Sequence, residues 1–363
     1  MHRYVVLGAL CILCGLFVYA LGNELRYYQH PDRVVWMLRA RALQQHELPD
    51  TMILGDSQAM SGLRPHLFGK EYGKVYNLGL PSAQPEALLS VVPYLEDRQV
   101  QTLIVNISPY SMYETEVYDA FLNYYRSEFI ALNWPGLQRA YLYGDSGGEV
   151  LESTLSGMGL YRLNAAIRNL STDEELSLMV QPGPFPGIGY STRPAAQAVV
   201  NAPSLASRMR KLREVNAKIE SILDSTNGFW TWRNFETPSR DECDAGELKP
   251  LPAAIRFKPR PEAIRAWVDF LNQASRYVER IILIRIPFSD SWHDTVDRIL
   301  PYGKVSSDVH GILTELDLPQ KVTYLDGASD FSDADFYDWN HLDYCGAERY
   351  TMFLLEQIEA QKK

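Results

Sequence analysis

The sequence predicts an α/β fold built on a doubly wound parallel sheet, and three observations carry that expectation. Short apolar runs at residues 51–54, 73–78 and 101–107 are separated by segments long enough for crossovers, which parallel strands require. The third run is continuously apolar and β-branched, as suits a strand buried on both faces at the centre of a parallel sheet. Two further runs, 281–286 and 322–325, each follow a segment of helical character.

Taken in order, the chain opens with residues 4–22, which carry no charge and match the length that spans a hydrocarbon layer of ~30 Å. A cleaved signal peptide ending near Ala20-Leu21-Gly22 competes with a retained anchor. The three-residue n-region and the long apolar run favour the anchor. Charge bias does not fix the topology, because Arg3 on one side faces Arg26, Arg33, Arg39 and Arg41 on the other. Residues 23–47 are charged and helix-permissive and read as a stalk. After the first strand comes a partly helical stretch broken at Arg64-Pro65. Pro85 follows the second strand and opens a helix to about residue 97, at a first-turn position where its missing N–H does no harm.

Between residues 110 and 251 the strand pattern is absent. Helical stretches at 117–132, 149–169 and 205–224 are joined by a Pro/Gly run at 181–187 that excludes regular structure. Such a mostly helical insertion reads either as a cap over the strand C-terminal ends, where open α/β sheets bind ligands, or as a surface for a partner or membrane. The chain returns with a helix over 261–280, a strand, a helical segment over 291–316, the last strand and a closing helix over 343–361.

Composition narrows the function. The chain has 363 residues, is 46% hydrophobic and carries a net charge of −10, with its basic residues scattered. That length and apolar content suit a full-sized core, and the charge excludes a phosphate-tracking surface, so no nucleic-acid partner is expected. Tyrosine is abundant, at 22 residues, as it is in many sugar-binding grooves and in many cores. Of the four cysteines only Cys243 and Cys345 lie outside the apolar N-terminus, and they read either as a bridge, permitted in an oxidising compartment, or as two buried thiols.

The chemistry centres on Gly55-Asp56-Ser57 at the end of the first strand. A serine hydroxyl is a weak nucleophile at neutral pH and needs a base held by a carboxylate. Asp338-Trp339-Asn340-His341 supplies both from one loop ahead of the closing helix, with Asp333 and Asp335 as neighbouring carboxylates that could replace Asp338. His66 follows Pro65 in an exposed-looking stretch and reads as a surface residue. The backbone N–H groups of Ser57 and Gly79 are the expected donors to a developing oxyanion, worth ~2.7–4 kcal/mol each. A second Gly-Asp-Ser at Gly144-Asp145-Ser146 lacks both the strand context and the distal partners. The Asp330, Asp333, Asp335 and Asp338 series does not have the spacing of a calcium loop, so neither metal nor cofactor is expected.

Three segments carry a family resemblance: Leu54-Gly55-Asp56-Ser57-Gln58, Tyr76-Asn77-Leu78-Gly79-Leu80 and Asp338-Trp339-Asn340-His341-Leu342. They resemble the first, second and fifth blocks of the SGNH (GDSL) hydrolase family, in matching order and spacing. Gly62-Leu63-Arg64-Pro65 and Gly346-Ala347 are similar to membrane-anchored members, among them the D-alanyl transfer protein and proteins of alginate O-acetylation. The resemblance covers roughly residues 48–109 and 280–358. It implies a three-layer αβα fold and a triad of Ser57, His341 and Asp338. It also implies a third oxyanion donor from an Asn. Asn106 is the nearest match, although the family's flanking Gly and Asp are missing, and Ser108 is a substitute. By the same resemblance the domain lies outside the cytoplasm and works beside a membrane-bound O-acyltransferase, passing an acyl group to a polysaccharide. A carbohydrate acetylesterase and a non-catalytic assembly subunit are the alternatives.

Overall fold

Five strands form one all-parallel sheet: β1 (Thr51–Leu54), β2 (Val75–Asn77), β3 (Thr102–Asn106), β6 (Arg280–Ile284) and β7 (Val322–Leu325). The computed structural model describes residues 26–28, 31–44, 49–96, 100–114, 204–230, 257–327 and 331–361. The spatial order is β2-β1-β3-β6-β7, with Thr51 in register with Val75 on one side and Thr102 on the other. Chain direction across the sheet therefore reverses between β1 and β3, the place where open α/β sheets hold ligands beyond the strand C-termini. A short antiparallel pair, β4 (Tyr113–Glu114) with β5 (Lys258–Pro259), stands apart from this sheet.

Side-chain alternation sorts the sheet into two buried faces. Met52, Leu54, Leu103, Val105, Ile281 and Leu283 point to one face. Helices α1 (Pro31–Gln44), α3 (Pro85–Leu89), α4 (Val92–Glu96), α6 (Pro261–Ala274) and α8 (Tyr302–Thr314) cover it. Ile53, Ile104, Ile282 and Ile284 point to the other, against α2 (Ser57–Gly62) and α9 (Tyr344–Ala360), the latter through Ala347, Tyr350 and Leu354. Each fully buried Ile or Leu contributes roughly 1.5–3 kcal/mol, so the strands are held chiefly by what lies above and below them.

Several elements depart from the expected pattern, each for a local reason. The helix expected from Pro85 to about 97 is two pieces, because Pro93 in α4 has no N–H to continue the α3 ladder. The helical segment over 291–316 divides at Pro301 into α7 (Asp290–Val296) and α8. Most of the expected stalk is α1, packed into the core: Trp36 and Leu43 are buried, and the Trp36 indole N–H donates to the Pro81 carbonyl at 3.0 Å. The apolar spacing of Val35, Trp36, Ala40 and Leu43 is what puts this helix against the sheet rather than in solvent.

Helix α5 (Leu205–Ser225) matches the expected 205–224 stretch and packs on α1 through Ile219 and Leu223. The apolar stretch 4–22, the helical stretches 117–132 and 149–169, the Pro/Gly run 181–187, Gly144-Asp145-Ser146 and Cys243 all lie outside the described residues. Among the described residues no helix is long and apolar enough to cross a membrane.

Candidate active site

Strand β1 ends at Leu54, and the turn that follows turns the chain through Gly55 into α2. Gly55 adopts φ +138°, and a Cβ there would come within 2.9 Å of the Asn106 Cβ, so only glycine allows this turn beside β3. Asp56 caps α2, accepting the Gln58 N–H at 3.0 Å, and Ser57 is the first residue of that helix. At its other end α2 is held by Asn77, whose amide donates to the Ala59 carbonyl at 2.8 Å and the Leu63 carbonyl at 2.9 Å. Those carbonyls would otherwise lack a helical partner.

The distal loop meets this turn. The Ser57 hydroxyl donates to His341 Nε2 at 2.8 Å, and His341 Nδ1 lies 2.9 Å from both oxygens of Asp338. Asp338 also accepts the backbone N–H groups of Asn340 at 3.1 Å and His341 at 2.8 Å. This turn is why a spacing of three brings carboxylate and ring together. Acceptance by Asp338 fixes the proton on Nδ1 and leaves Nε2 with its lone pair toward the serine. His341 is 1% exposed, and the Gln58 side chain ties its loop to α2 by donating to the Asn340 carbonyl at 2.9 Å. Trp339, between Asp338 and His341, stacks on Trp292 with centroids 6.0 Å apart.

The neighbouring carboxylates are engaged elsewhere. Asp333 accepts the N–H and the hydroxyl of Ser291, and Asp335 pairs with Arg349. His66 is exposed; Arg64 donates to its Nε2 at 3.0 Å, and partial burial together with the Arg64 charge lowers its pKa. Among the described residues no group of three or more His, Cys, Asp or Glu side chains is arranged to hold a metal ion.

The expected oxyanion donors divide. The Ser57 N–H, first in its helix, has no partner among the described residues. The Gly79 N–H instead donates to the Asn77 side chain at 2.9 Å. Gly79 is needed for another reason: a Cβ on it would sit inside the van der Waals envelope of the Met60 backbone, so glycine lets the loop after β2 close on α2. The Asn106 amide donates to Asp56 at 3.1 Å and to Gln58 Oε1 at 3.5 Å, and its carbonyl oxygen accepts the Ile286 N–H at 3.1 Å. The Ser108 hydroxyl donates to Asp56 as well. In this state, then, neither Gly79, Asn106 nor Ser108 offers a donor to a substrate. Their hydrogens hold the scaffold under Ser57.

Three features of the site gave little signal in the sequence. Asp56 is a buried hub rather than a turn residue, and burial pushes its pKa up while Ser108, Gln58, the nearby His341 and Asn106 pull the other way. Asn77 is a clamp on α2. Ser82, in the loop that begins with the Leu80 N–H to Gly55 carbonyl bond, takes φ 59°, which costs a non-glycine residue of order 1–3 kcal/mol and gathers at functional loops. A cavity of about 620 Å³ opens between β4, α6 and α8, lined by Tyr113, Arg260, Lys304 and Asp308 among others, and none of Ser57, Asp338 and His341 lines it.

Cys345, at the start of α9, is disulfide-bonded, and its partner lies outside the described residues. No protein-family model matches this chain, and no curated protein is matched by it.

Proposed function

We propose that this chain is a serine-dependent acyl-transfer enzyme of the SGNH type, anchored in a membrane through residues 4–22, with its catalytic domain outside the cytoplasm. Its acyl donor is a membrane-bound O-acyltransferase, and its acceptor is a hydroxyl of an exported or cell-surface polysaccharide. The observation that carries the reading is the unbroken chain from Ser57 Oγ to His341 Nε2 at 2.8 Å and from His341 Nδ1 to Asp338 at 2.9 Å. The three residues come from the first turn of α2 and from one distal loop, with Ser57 and His341 separated by 284 positions. The disulfide at Cys345 supports an oxidising compartment. The three-layer arrangement of helices over both sheet faces is consistent with the same family.

The chemistry follows from the geometry. His341 Nε2 takes the Ser57 proton as Oγ bonds to the acyl carbonyl, and the imidazolium then gives that proton to the leaving oxygen. A sugar hydroxyl repeats the sequence in reverse: its proton passes to Nε2, its oxygen bonds the acyl carbon, and Ser57 leaves with the proton returned. Water in place of the sugar makes the same site an esterase.

The test is to incubate the purified chain with p-nitrophenyl acetate, with and without an oligosaccharide acceptor, and to weigh the products. Acylated sugar is expected for the wild type and none for Ser57→Ala. Acetate alone in both mixtures would make the chain an esterase, and unchanged activity in Ser57→Ala would remove Ser57 from the chemistry and favour an assembly role.

A further inference from the structure

Granting the acyl-transfer reading of Ser57, we infer that Asp56 is a second functional carboxylate of the site. It is a positioning residue whose negative charge seats Ser57 at the start of α2 and steadies the positive charge His341 acquires on accepting the serine proton.

The geometry gives Asp56 three donors from three elements. Gln58 N–H in α2 lies at 3.0 Å, the Asn106 amide at the end of β3 at 3.1 Å, and the Ser108 hydroxyl in the turn after β3 completes the set. Asp56 is 5% exposed, so its effect on its neighbours is little screened by solvent. Two of the donors are N–H groups, which can only donate. Oδ1 is therefore an acceptor in every state, and the Ser108 hydroxyl donates to Oδ2 when the group is ionised.

A carboxylate needed only to cap a six-residue helix would not require this housing, since Ser or Asn caps as well from the surface. This one is buried at a desolvation penalty that raises its pKa, and the positive form of His341 is among the influences that lower it again. That influence is mutual: whatever His341 does for the charge on Asp56, Asp56 does for the charge on His341. Two carboxylates thus act on one imidazole, Asp338 from its own loop and Asp56 from the β1–α2 turn. The groups hydrogen-bonded to Asp56, namely the Gln58 N–H, the Asn106 amide and the Ser108 hydroxyl, are uncharged. Asp338 orients the ring by direct contact, whereas Asp56 acts through charge and through the position of Ser57.

The experiment uses the full chain in detergent and a fluorophosphonate reagent. The Ser57 oxygen bonds phosphorus, fluoride leaves, and the serine proton passes through His341 to solvent, so the reaction needs the same base as acyl transfer without needing the native acyl donor. The rate of Ser57 labelling is followed by peptide mass from about pH 5 to about pH 9. Asp56→Asn keeps the side-chain shape and a capping oxygen, and Asp56→Ser keeps the cap through a different atom, so two charge-free variants guard against one that fails to fold. In both, the plateau rate falls several-fold. The acid limb of the profile moves to lower pH, because the positive charge that forms on accepting the serine proton then faces one anion fewer. Folded variants whose acid limb superimposes on that of the wild type would overturn the role of Asp56. A wild-type chain that never labels at Ser57 would instead reject the acyl-transfer reading beneath it.

Discussion

The two sides of Ser57 are built on opposite principles. On the His341 side a line of contacts ends on the serine: Asp338 fixes the ring, the ring meets the hydroxyl at 2.8 Å, and Gln58 holds the loop through the Asn340 carbonyl. On the opposite side the contacts point away from it, with Gly79 on Asn77 and both Asn106 and Ser108 on Asp56. One side is a proton path and the other a foundation. The difference teaches that a motif residue beside the proposed nucleophile need not offer its own hydrogen outward. It can act by holding the turn that carries Ser57.

The sharpest division between the sides comes from the proton path. Ser57→Ala should abolish acylation, a loss of ~10⁴-fold or more. Asp338→Asn should cost about 10⁴ in kcat with the fold intact, because an amide donates where Nδ1–H must be accepted and so turns the ring to the wrong tautomer. Single-turnover labelling alongside thermal melting separates the two quantities, and a folded Asp338→Asn that labels at the wild-type rate would break the assignment of that carboxylate.

The foundation side should respond first in stability. Gly79→Ala forces a methyl against the Met60 backbone and should destabilise the fold by roughly 1–3 kcal/mol, read by denaturant titration, with labelling reduced only as α2 shifts. Asn106→Ala leaves the Ile286 N–H without its acceptor and removes one donor from Asp56; roughly 2 kcal/mol of stability should go, with labelling of the folded fraction kept within about tenfold. A stable Asn106→Ala with a 10²–10³-fold slower reaction would show that its amide turns to the oxyanion during catalysis, and the contrast between the sides would then dissolve.

The parts of the fold that were legible are those where one residue type dictates one backbone form. The strand cores 51–54 and 102–106 are largely apolar runs buried along their whole length under helices on both faces, whereas the edge strand 322–325 is only half-buried. The aspartate three before a histidine announces a turn that closes on the ring. What escaped was set by partners far away in sequence. Helix α1 looked like a charged stalk because Asp32, Arg33, Arg39 and Arg41 interrupt its apolar residues, yet Val35, Trp36 and Leu43 are buried and Arg39 is buried with them, donating to the Gly228 carbonyl. Asn106 was expected as a donor only through the family resemblance, as the nearest match to that family's Asn, yet the direction of its amide is decided by Asp56, Gln58 and Ile286 together. A single sequence cannot state which of several nearby acceptors an amide will choose.

The smallest effect tests the foundation at its centre, through the pH dependence of stability. Burial raises the pKa of Asp56 above the ordinary 3.8, so the native state holds this proton more tightly than the unfolded chain does. Between 3.8 and the raised native value more protons are bound by the native state, and unfolding free energy falls as pH rises. The contribution of Asp56 is full below 3.8 and is lost as pH passes through the native pKa, above which the carboxylate is charged and its burial opposes folding. The stability of the wild type minus that of Asp56→Asn, measured by denaturant titration at a series of pH values, should therefore decline from acid to neutral pH. A difference that rises instead would mean that Ser108, Gln58 and Asn106 outweigh desolvation and hold the anion below its ordinary pKa. The foundation would then be a site made for a charge, and the sign of this slope separates an anion kept against its solvation from one that stabilises the fold.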